Sequence, residues 1–459
     1  MSSERATIMR HAGTVMVGQL AVMAFSITDT LVAGHFADTA LAALAVASAT
    51  YVTVHISLMG MLQALLPVWA ELHGAQRHAE VGRSVRQALY LCAITASLGM
   101  WALLCPDLLL NWTQVPTGLQ AEVRGYLNIV AFGLPASLLF RMYSTLNQSL
   151  GKPKLVTWVQ VGALMVKIPL SIVLVLGIPN VLPPMGLAGC AWATLVVMLL
   201  MLGLAAWLLR TQDFYKPYRI WVAMEKPHPP TLLRFVRLGL PSGLAIGVEV
   251  TSFTLMSLFI ARLGVVATAS HQIVSNMTAV LYMIPLSLSI ASSSRVSYWI
   301  GAGQIDRARQ ALRTGLSLVL LLSLTMAGLI GWQHQAIAQF YIQSAEVAAL
   351  AATLLLWLML YHVADAVQVF CVFTLRCYGI TVLPLITYTV LLWGLGLAGG
   401  YVVAYGPGID LSCLTWLTSQ SPIAFWQTGS LALYVTTGVL LPVLWRAAYR
   451  RTQHTHVAD

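Results

Sequence analysis

The sequence predicts an all-α integral membrane protein with twelve transmembrane helices arranged as two six-helix bundles. Three observations lead to this fold class: the chain carries few charges, long apolar stretches recur along it, and its two halves resemble each other. Of the 459 residues, 58% are hydrophobic and 9% are charged, whereas a soluble protein has about 25% charged residues. This composition cannot cover a water-soluble surface, so many apolar side chains must face lipid.

Twelve apolar stretches are long enough to cross a hydrocarbon core of about 30 Å, which takes about 20 helical residues. Their apolar runs are continuous and do not alternate, which favours helices over the strands of a β-barrel. We place the spans at residues 12–34, 40–70, 86–110, 123–149, 154–177, 187–210, 232–262, 266–297, 306–332, 346–376, 380–404 and 424–446.

The distribution of basic residues predicts the orientation in the membrane. Lysines and arginines concentrate before the first span, at or after the end of every second span, with Arg376 at the end of the tenth, and after the last. The opposite connections 178–186, 333–345 and 405–423 contain none. Because basic connections stay in the cytoplasm, both termini are expected there, in a multi-pass protein of the cell inner membrane. The net charge of +10 is therefore a topology signal, and no nucleic-acid partner is expected.

An internal repeat divides the chain into two related halves. HGAQRHAEVGRSVRQAL, which contains Gly74, resembles IGAGQIDRARQALRTGL, which contains Gly301. LNQSLGKPKL corresponds in the same way to LRCYGITVLPL, through Gly151 and Gly379. The two pairs of glycines have nearly the same separation along the chain. Two matches at nearly one separation indicate that each half contains an equivalent set of six spans.

A polar, proline-rich connection lies between the two sets of spans. We place an N-terminal lobe at residues 1–215, a cytoplasmic linker at 216–231 and a C-terminal lobe at 232–459. Repeated halves of this kind are typical of secondary transporters, which move around a central cavity. A duplicated channel and a lipid-embedded enzyme remain alternatives. An enzyme is not expected, because the sequence shows no nucleotide-binding loop, soluble domain or catalytic constellation.

Four ionisable residues lie well within predicted spans: Asp29, Lys167, Glu249 and Asp365. A charge at this depth costs about 2.5–3.5 kcal/mol on insertion scales, so each is expected to face a cavity or a partner. A buried carboxylate can take up a proton or offer its oxygens to a hard cation such as Na⁺. Glu249 and Asp365 are therefore candidates for binding a coupling ion, Na⁺ or H⁺.

Aromatic residues near these acids are further candidates. Tyr361 precedes Asp365 by four residues, so both lie on one helix face, where the phenol can donate a hydrogen bond or bind a cation. Phe253 and Tyr282 are expected to line a substrate cavity in which flat aromatic cations stack. The six cysteines form no CxxC pair, so neither a disulfide nor a metal cluster is expected.

Several stretches resemble the multidrug and toxic compound extrusion (MATE) family, in its NorM-type branch. They include GQLAVMAFSITDTLVAG in span one, PSGLAIGVEVTSF in span seven and DAVQVFCVFTLRCYG in span ten. The resemblance implies a V-shaped pair of six-helix bundles that exports organic cations in exchange for Na⁺ or H⁺. By matching position, Glu249 and Asp365, with Tyr361 beside them, fall on the family's C-terminal cation site. Asp29 falls on its N-terminal carboxylate.

The chain differs from the family pattern in span five. NorM-type sequences commonly have asparagines where this chain has Lys167 and Ser171. If spans one and five are neighbours, the ammonium group of Lys167 reaches Asp29 and replaces an exchangeable cation. The alternative is that Lys167 extends to the outer surface, which leaves Asp29 as a second ion site.

These features predict an antiporter that exports amphipathic, mostly cationic drugs and is driven by an inward gradient of Na⁺ or H⁺. We expect it to act as a monomer in the lipid bilayer, without a cofactor other than the coupling ion. One alternative is a lipid-linked saccharide flippase of the wider superfamily, which a broad cationic groove would favour. Another is a membrane-embedded transferase, which would need a catalytic His and Asp or a metal cluster.

Overall fold

The computed structural model describes residues 4–106, 117–342, 344–406, 418 and 421–450. In this part of the chain, twelve helical segments are long and apolar enough to cross a membrane. The number of predicted spans is therefore confirmed. Residues 107–110 of the third predicted span, most of connection 405–423 with Cys413, and the last nine residues lie outside the described part.

We number the helices in chain order. The first half contains α1 (Glu4–Phe36), α2 (Asp38–Gln63), α3 (Leu66–Gly74), α4 (His78–Leu104), α5 (Thr117–Ser149), α6 (Pro153–Leu176), α7 (Leu187–Thr211) and a 3-10 helix at Asp213–Tyr218. The second half contains α8 (Pro229–Ala261), α9 (Val265–Gly301), α10 (Ile305–Tyr341), α11 (Ala345–Leu375), a 3-10 helix at Arg376–Tyr378, α12 (Val382–Tyr388), a π-helical segment at Thr389–Ala398, α13 (Gly399–Tyr405) and α14 (Ile423–Arg450).

Several helices extend beyond the predicted spans. Helix α1 begins at Glu4 instead of residue 12, and α10 continues to Tyr341 instead of residue 332. Backbone hydrogen bonding carries a helix into polar sequence, whereas an apolar count detects only the hydrocarbon-length portion. The predicted span 40–70 also divides into α2 and α3, with Pro67 in the first turn of α3. Proline has no N–H group and is tolerated at this helix position.

Two compact units are defined by contacts within the chain. One comprises residues 14–243, and the other comprises residues 1–13 together with 244–459. The lobe boundaries that we placed at residues 215 and 231 remain a prediction.

Helix α5 is central in the unit of residues 14–243. It packs against α2, α4 and α7, and α6 packs against α7. Leu127, Val130, Leu134 and Leu138 of α5 are completely buried. Their spacing of three and four residues places them along one stripe of the helix. This stripe forms part of the apolar core of the unit.

Helix α11 is central in the other unit, where it packs against α9, α10 and α14. Among the twelve described spans, an 18-residue apolar stretch in the spans of α5 and α11 has the largest buried share, 72% and 50%. These helices begin at Thr117 and Ala345, a separation that matches that of the repeated glycines. Equivalent helices of the sequence repeat therefore occupy the core of the two units.

The connection before α8 is bound to helix α4. Arg86 Nη1 donates a hydrogen bond to the carbonyl oxygen of Arg219 at 2.6 Å, and its Nη2 donates to Glu225 Oε1 at 2.7 Å. The Tyr90 hydroxyl donates to the carbonyl oxygen of Glu225 at 2.8 Å. A Cβ atom at Gly82 would lie 1.8 Å from the Tyr218 carbonyl oxygen. Only glycine permits this close approach of the connection to α4.

Candidate functional site

Asp29 of α1 and Lys167 of α6 form a buried ion pair. Lys167 Nζ lies 2.7 Å from Asp29 Oδ1, and the two side chains are 10% and 1% exposed for Asp29 and Lys167 respectively. Lys167 Nζ also donates hydrogen bonds to Asp29 Oδ2 at 2.9 Å and to Thr194 Oγ1 at 2.6 Å. Ser171 Oγ donates to Asp29 Oδ1 at 3.3 Å. The ammonium group therefore lies inside the unit, next to the acid, and not at the surface.

The helical repeat of α6 explains why two of its residues reach the same carboxylate. Lys167 and Ser171 are four residues apart and thus lie on one face of the helix. Thr194 of α7 contacts Asp29 as well, through a hydrogen bond to Oδ2 at 3.3 Å. Charged groups that leave water need such additional hydrogen bonds, because their mutual attraction alone does not offset the loss of hydration. Thr194 was not singled out from the sequence.

Glu249 of α8 and Asp365 of α11 lie in one unit, close enough to interact electrostatically. Asp365 is 4% exposed. Its Oδ1 accepts a hydrogen bond from Gln368 Nε2 at 3.2 Å, so the contact comes from Gln368 and not from Tyr361. Gln368 follows Asp365 by three residues, a spacing that identifies it as a neighbour on the helix. Among the described residues, no side chain donates a hydrogen bond to Glu249.

A small cavity lies beside Glu249 and Gln368, the hydrogen-bond partner of Asp365. Its water-accessible volume is about 30 Å³, enough for one or two water molecules or a small cation. Drug-sized ligands occupy cavities of about 300–1,000 Å³, so this cavity is too small for one. Its lining residues are Glu249, Ser252, Phe253, Met256, Tyr361, Gln368, Leu392, Gly396, Leu397, Phe425, Gly429 and Leu433.

The three aromatic candidates have different positions relative to this cavity. Phe253 and Tyr361 line it, and both pack edge-on against Trp426, with ring centroids 6.2 Å and 5.4 Å from that of the tryptophan. Tyr282 is not among the described lining residues. Glu249, Asp365 and Arg376 nevertheless lie in its surroundings. Tyr282 therefore belongs to the surroundings of the acids and not to the cavity wall.

Arg376 is a buried cation that the sequence did not identify. We placed it on a cytoplasmic connection, yet it is 4% exposed. It extends α11 in a short 3-10 helix, which ends at Gly379 with a positive φ of 75°. Its guanidinium carbon lies 4.4 Å from the ring centroid of Phe373. None of its three side-chain nitrogens has a hydrogen-bond partner among the described residues.

The cysteines and the acidic and histidine side chains form no metal cluster in the described ranges. No group of three or more His, Cys, Asp or Glu side chains there is arranged to hold a metal ion. No disulfide bond joins the described cysteines, at positions 92, 105, 190, 371 and 377.

Comparison with known proteins identifies relatives over nearly the full length. The MatE family model matches residues 15–173 and 241–402, one segment in each half of the chain. The probable multidrug resistance protein NorM of Aromatoleum aromaticum is 35% identical over 450 residues, which cover 97% of this chain and 95% of the relative. The multidrug resistance protein MdtK of Yersinia pseudotuberculosis is 30% identical over 443 residues, covering 96% and 94%.

Solved structures share the fold at lower sequence identity. A MATE protein in its bent conformation matches with a TM-score of 0.88 and 14% identity, covering 99% of this chain and 98% of that one. The eukaryotic MATE transporter AtDTX14 matches with a TM-score of 0.84 and 17% identity, covering 97% and 98%. The observed helices therefore form the MATE fold.

Twelve apolar spans in two repeated halves, with carboxylates buried among them, define a multi-pass membrane transporter. The family match covers both halves, so the resemblance seen in the sequence is confirmed. The chain belongs to the MATE family. This is a family of transporters and not of enzymes, and the membrane-embedded transferase considered from the sequence is therefore wrong.

Proposed function

We propose that this multidrug efflux transporter exports amphipathic, mostly cationic organic compounds in exchange for inward-moving Na⁺ or H⁺, with Glu249 and Asp365 as the coupling acids. The main support is the presence of these two carboxylates in one unit, where Glu249 lines a cavity of about 30 Å³. The relatives named as multidrug resistance proteins support drugs as the substrates. In this proposal the working unit is a monomer in the cell inner membrane, with both termini cytoplasmic.

Repulsion between the two acids makes the unit sensitive to a cation. Like charges in a protein interior destabilise each other, and a bound Na⁺ or a proton removes much of that repulsion. A conformation that brings the carboxylates together is then favoured when the cation is bound. A ligand shifts a conformational equilibrium by its difference in affinity for the two states. The ion gradient can thereby drive the change that moves a substrate.

The size of the cavity restricts how the ion and the drug affect each other. The space beside Glu249 accommodates a small cation and not a drug-sized compound. Competition for this space is therefore not the mechanism of exchange in this conformation. We infer that the ion and the drug are linked through the conformation of the protein, with the drug bound in a larger cavity elsewhere.

Asp29 has a structural role in this proposal. Its carboxylate already has a cation at 2.7 Å, the ammonium group of Lys167. The ammonium group of Lys167 is part of the chain and cannot be exchanged for a dissolved ion. Its ion pair with Asp29 therefore stays intact while Glu249 and Asp365 exchange their cation. The alternative, in which Asp29 is a second ion site, requires Lys167 to move away during the transport cycle.

Efflux from proteoliposomes under separately imposed Na⁺ and pH gradients tests this function. Asp365→Asn and Glu249→Gln keep size and hydrogen bonding but remove the charge, so each should abolish gradient-driven efflux of a cationic dye at normal membrane abundance. Glu346→Gln is the matched control, because Glu346 lies in the exposed first turn of the same helix as Asp365. The control should transport at the wild-type rate. Wild-type rates in both acid variants would contradict the coupling role.

A further inference from the structure

We propose that Ser252 and Gln368 bind the coupling ion together with Glu249, and that this ion is Na⁺. The inference rests on the proposed function, in which Glu249 is a coupling acid. It adds two uncharged ligand residues, and it selects Na⁺ from the two coupling ions, Na⁺ and H⁺, that the proposed function allows. All three residues line the same cavity of about 30 Å³.

Gln368 has a buried amide oxygen without a hydrogen-bond partner. The residue is 0% exposed and lines the cavity, and its Nε2 donates a hydrogen bond to Asp365 Oδ1 at 3.2 Å. Because an ionised carboxylate can only accept, this bond identifies which end of the amide is the oxygen. Asp365 is not among the described residues that line the cavity, so Oε1 is the free end of the amide. Oε1 has no partner among the described residues, and a buried acceptor is unfavourable until a donor or a cation approaches it.

Ser252 has a hydroxyl group that is not used within its own helix. It follows Glu249 by three residues in α8, so the two side chains lie on one face and both reach the cavity. Other hydroxyl side chains of α8 donate to the carbonyl oxygen four residues earlier: Ser242, Thr251, Thr254 and Ser257. The equivalent carbonyl oxygen for Ser252, that of Val248, accepts from Trp393 Nε1 at 3.1 Å. Ser252 Oγ forms no hydrogen bond with the described residues, so it can bind an ion in the cavity.

The oxygen atoms around the cavity suit a small, hard cation. Apart from Glu249, the polar side chains that line it in the described part of the chain are Ser252, Tyr361 and Gln368. Carboxylate, carbonyl and hydroxyl oxygens are the ligands that hard cations prefer. A cation that enters a cavity of about 30 Å³ loses most of its hydration water, and protein oxygens must replace that water. A proton needs only one carboxylate oxygen, so the uncharged oxygens favour Na⁺ as the coupling ion.

Equilibrium binding of radioactive Na⁺ to the purified full-length protein tests the two ligand residues. Gln368→Met keeps the size and removes the amide, and Ser252→Ala removes the hydroxyl, so each should weaken Na⁺ binding by about 10–100-fold. Ser252→Thr keeps a hydroxyl and should bind Na⁺ with close to wild-type affinity. Gln148→Met is the matched control, because Gln148 is also a buried glutamine, 3% exposed, in the other unit. This control should bind Na⁺ as the wild type does.

Two further measurements do not require the loss of a polar group. In proteoliposomes with equal pH on both sides, the wild-type protein should export a cationic dye when only an Na⁺ gradient is imposed. Gly429→Ala adds a methyl group to the cavity wall, where its Cβ would lie 3.6 Å from Tyr361 Cε2, an ordinary contact. This variant should fold normally and bind Na⁺ more weakly, because the methyl group takes space from the ion and every charge is kept.

The outcomes separate this inference from the proposed function. A wild-type protein that binds no Na⁺ overturns the inference, and so does wild-type Na⁺ affinity in folded Gln368→Met, Ser252→Ala or Gly429→Ala. If any of these results occurs while Glu249→Gln still abolishes efflux driven by a pH gradient, this inference fails alone and the coupling role of the acid stands. Wild-type efflux in both Glu249→Gln and Asp365→Asn overturns the proposed function as well.

Discussion

At the scale of single residues, the buried acids differ in how each is compensated. Asp29 accepts hydrogen bonds from Lys167, Ser171 and Thr194. Asp365 accepts one from Gln368, and Glu249 lies beside a cavity. A carboxylate with an ammonium group and two hydroxyls around it has its charge satisfied by the protein. A carboxylate with few donors and open space beside it is suited to bind an ion from outside.

The Asp29 and Lys167 pair gives a prediction about stability. Removal of one partner leaves the other charge buried and uncompensated, so Asp29→Asn and Lys167→Met should each lower the free energy of unfolding by about 3–5 kcal/mol. The double variant removes both charges and should lose less than the sum of the single losses. Thermal unfolding in detergent, together with membrane abundance, measures these changes. Independent, additive losses would mean that the pair does not act as a unit, and would favour Asp29 as a second ion site.

At the scale of elements, the connection before α8 is held by charges on helix α4. Arg83 Nε lies 2.8 Å and Arg86 Nη2 lies 2.7 Å from the Glu225 carboxylate. Hydrogen bonds from Arg86 first, and from Arg83 to a smaller extent, lower the pKa of Glu225 below its ordinary value. A lowered pKa means that the folded state favours the ionised carboxylate. Its contribution is complete above the ordinary glutamate pKa and is lost as the pH falls through the lowered value.

This contact predicts the pH dependence of local opening. At neutral pH, Glu225→Gln should speed amide hydrogen exchange in residues 219–226, because the charged hydrogen bonds to Arg86 are weakened. In wild type the same acceleration should appear only under acid conditions, below the ordinary glutamate pKa, after correction for intrinsic exchange. Glu80→Gln is the control, since Glu80 of the same helix forms an exposed ion pair with Arg77, the residue before the helix. Equal exchange in Glu225→Gln and wild type at neutral pH would show that the ion pair does not hold the connection.

At the scale of the whole molecule, the two halves have equivalent helices but different buried charged residues. Helices α5 and α11 are central in their respective units and occupy equivalent positions in the sequence repeat. One unit contains the buried ion pair of Asp29 and Lys167. The other contains two acids, a cavity and a buried arginine. Duplication therefore accounts for the helices, while later differences between the halves confine the proposed ion exchange to one unit.

The predicted membrane topology can be tested by cysteine labelling. In a cysteine-free background, Val181→Cys should react with an impermeant maleimide added to spheroplasts, because connection 178–186 lacks basic residues. Arg77→Cys should react only after lysis. Val181 is 77% exposed and Arg77 is also exposed, so both thiols are accessible once the reagent reaches their side. Labelling of Arg77→Cys in intact spheroplasts would contradict cytoplasmic termini.

The sequence by itself determined the fold class, the number of spans and the positions of the charges within them. Continuous apolar runs are a local property, because every lipid-facing helix must carry its own apolar surface. The rarity of charges made Asp29, Lys167, Glu249 and Asp365 visible against that background. The internal repeat was visible because equivalent turns in the two halves keep the same residue types.

Only the tertiary structure decided which of these charges meet. Asp29 and Lys167 are 138 residues apart, and their contact depends on how α1 packs with α6 and α7. The sequence placed Arg376 on a connection because a basic residue at the end of a span usually reaches water. The short helix that carries it packs instead against α9 and α11, and the arginine is buried, 4% exposed. Burial of a charge depends on neighbours that are distant in the chain, and a linear pattern does not contain that information.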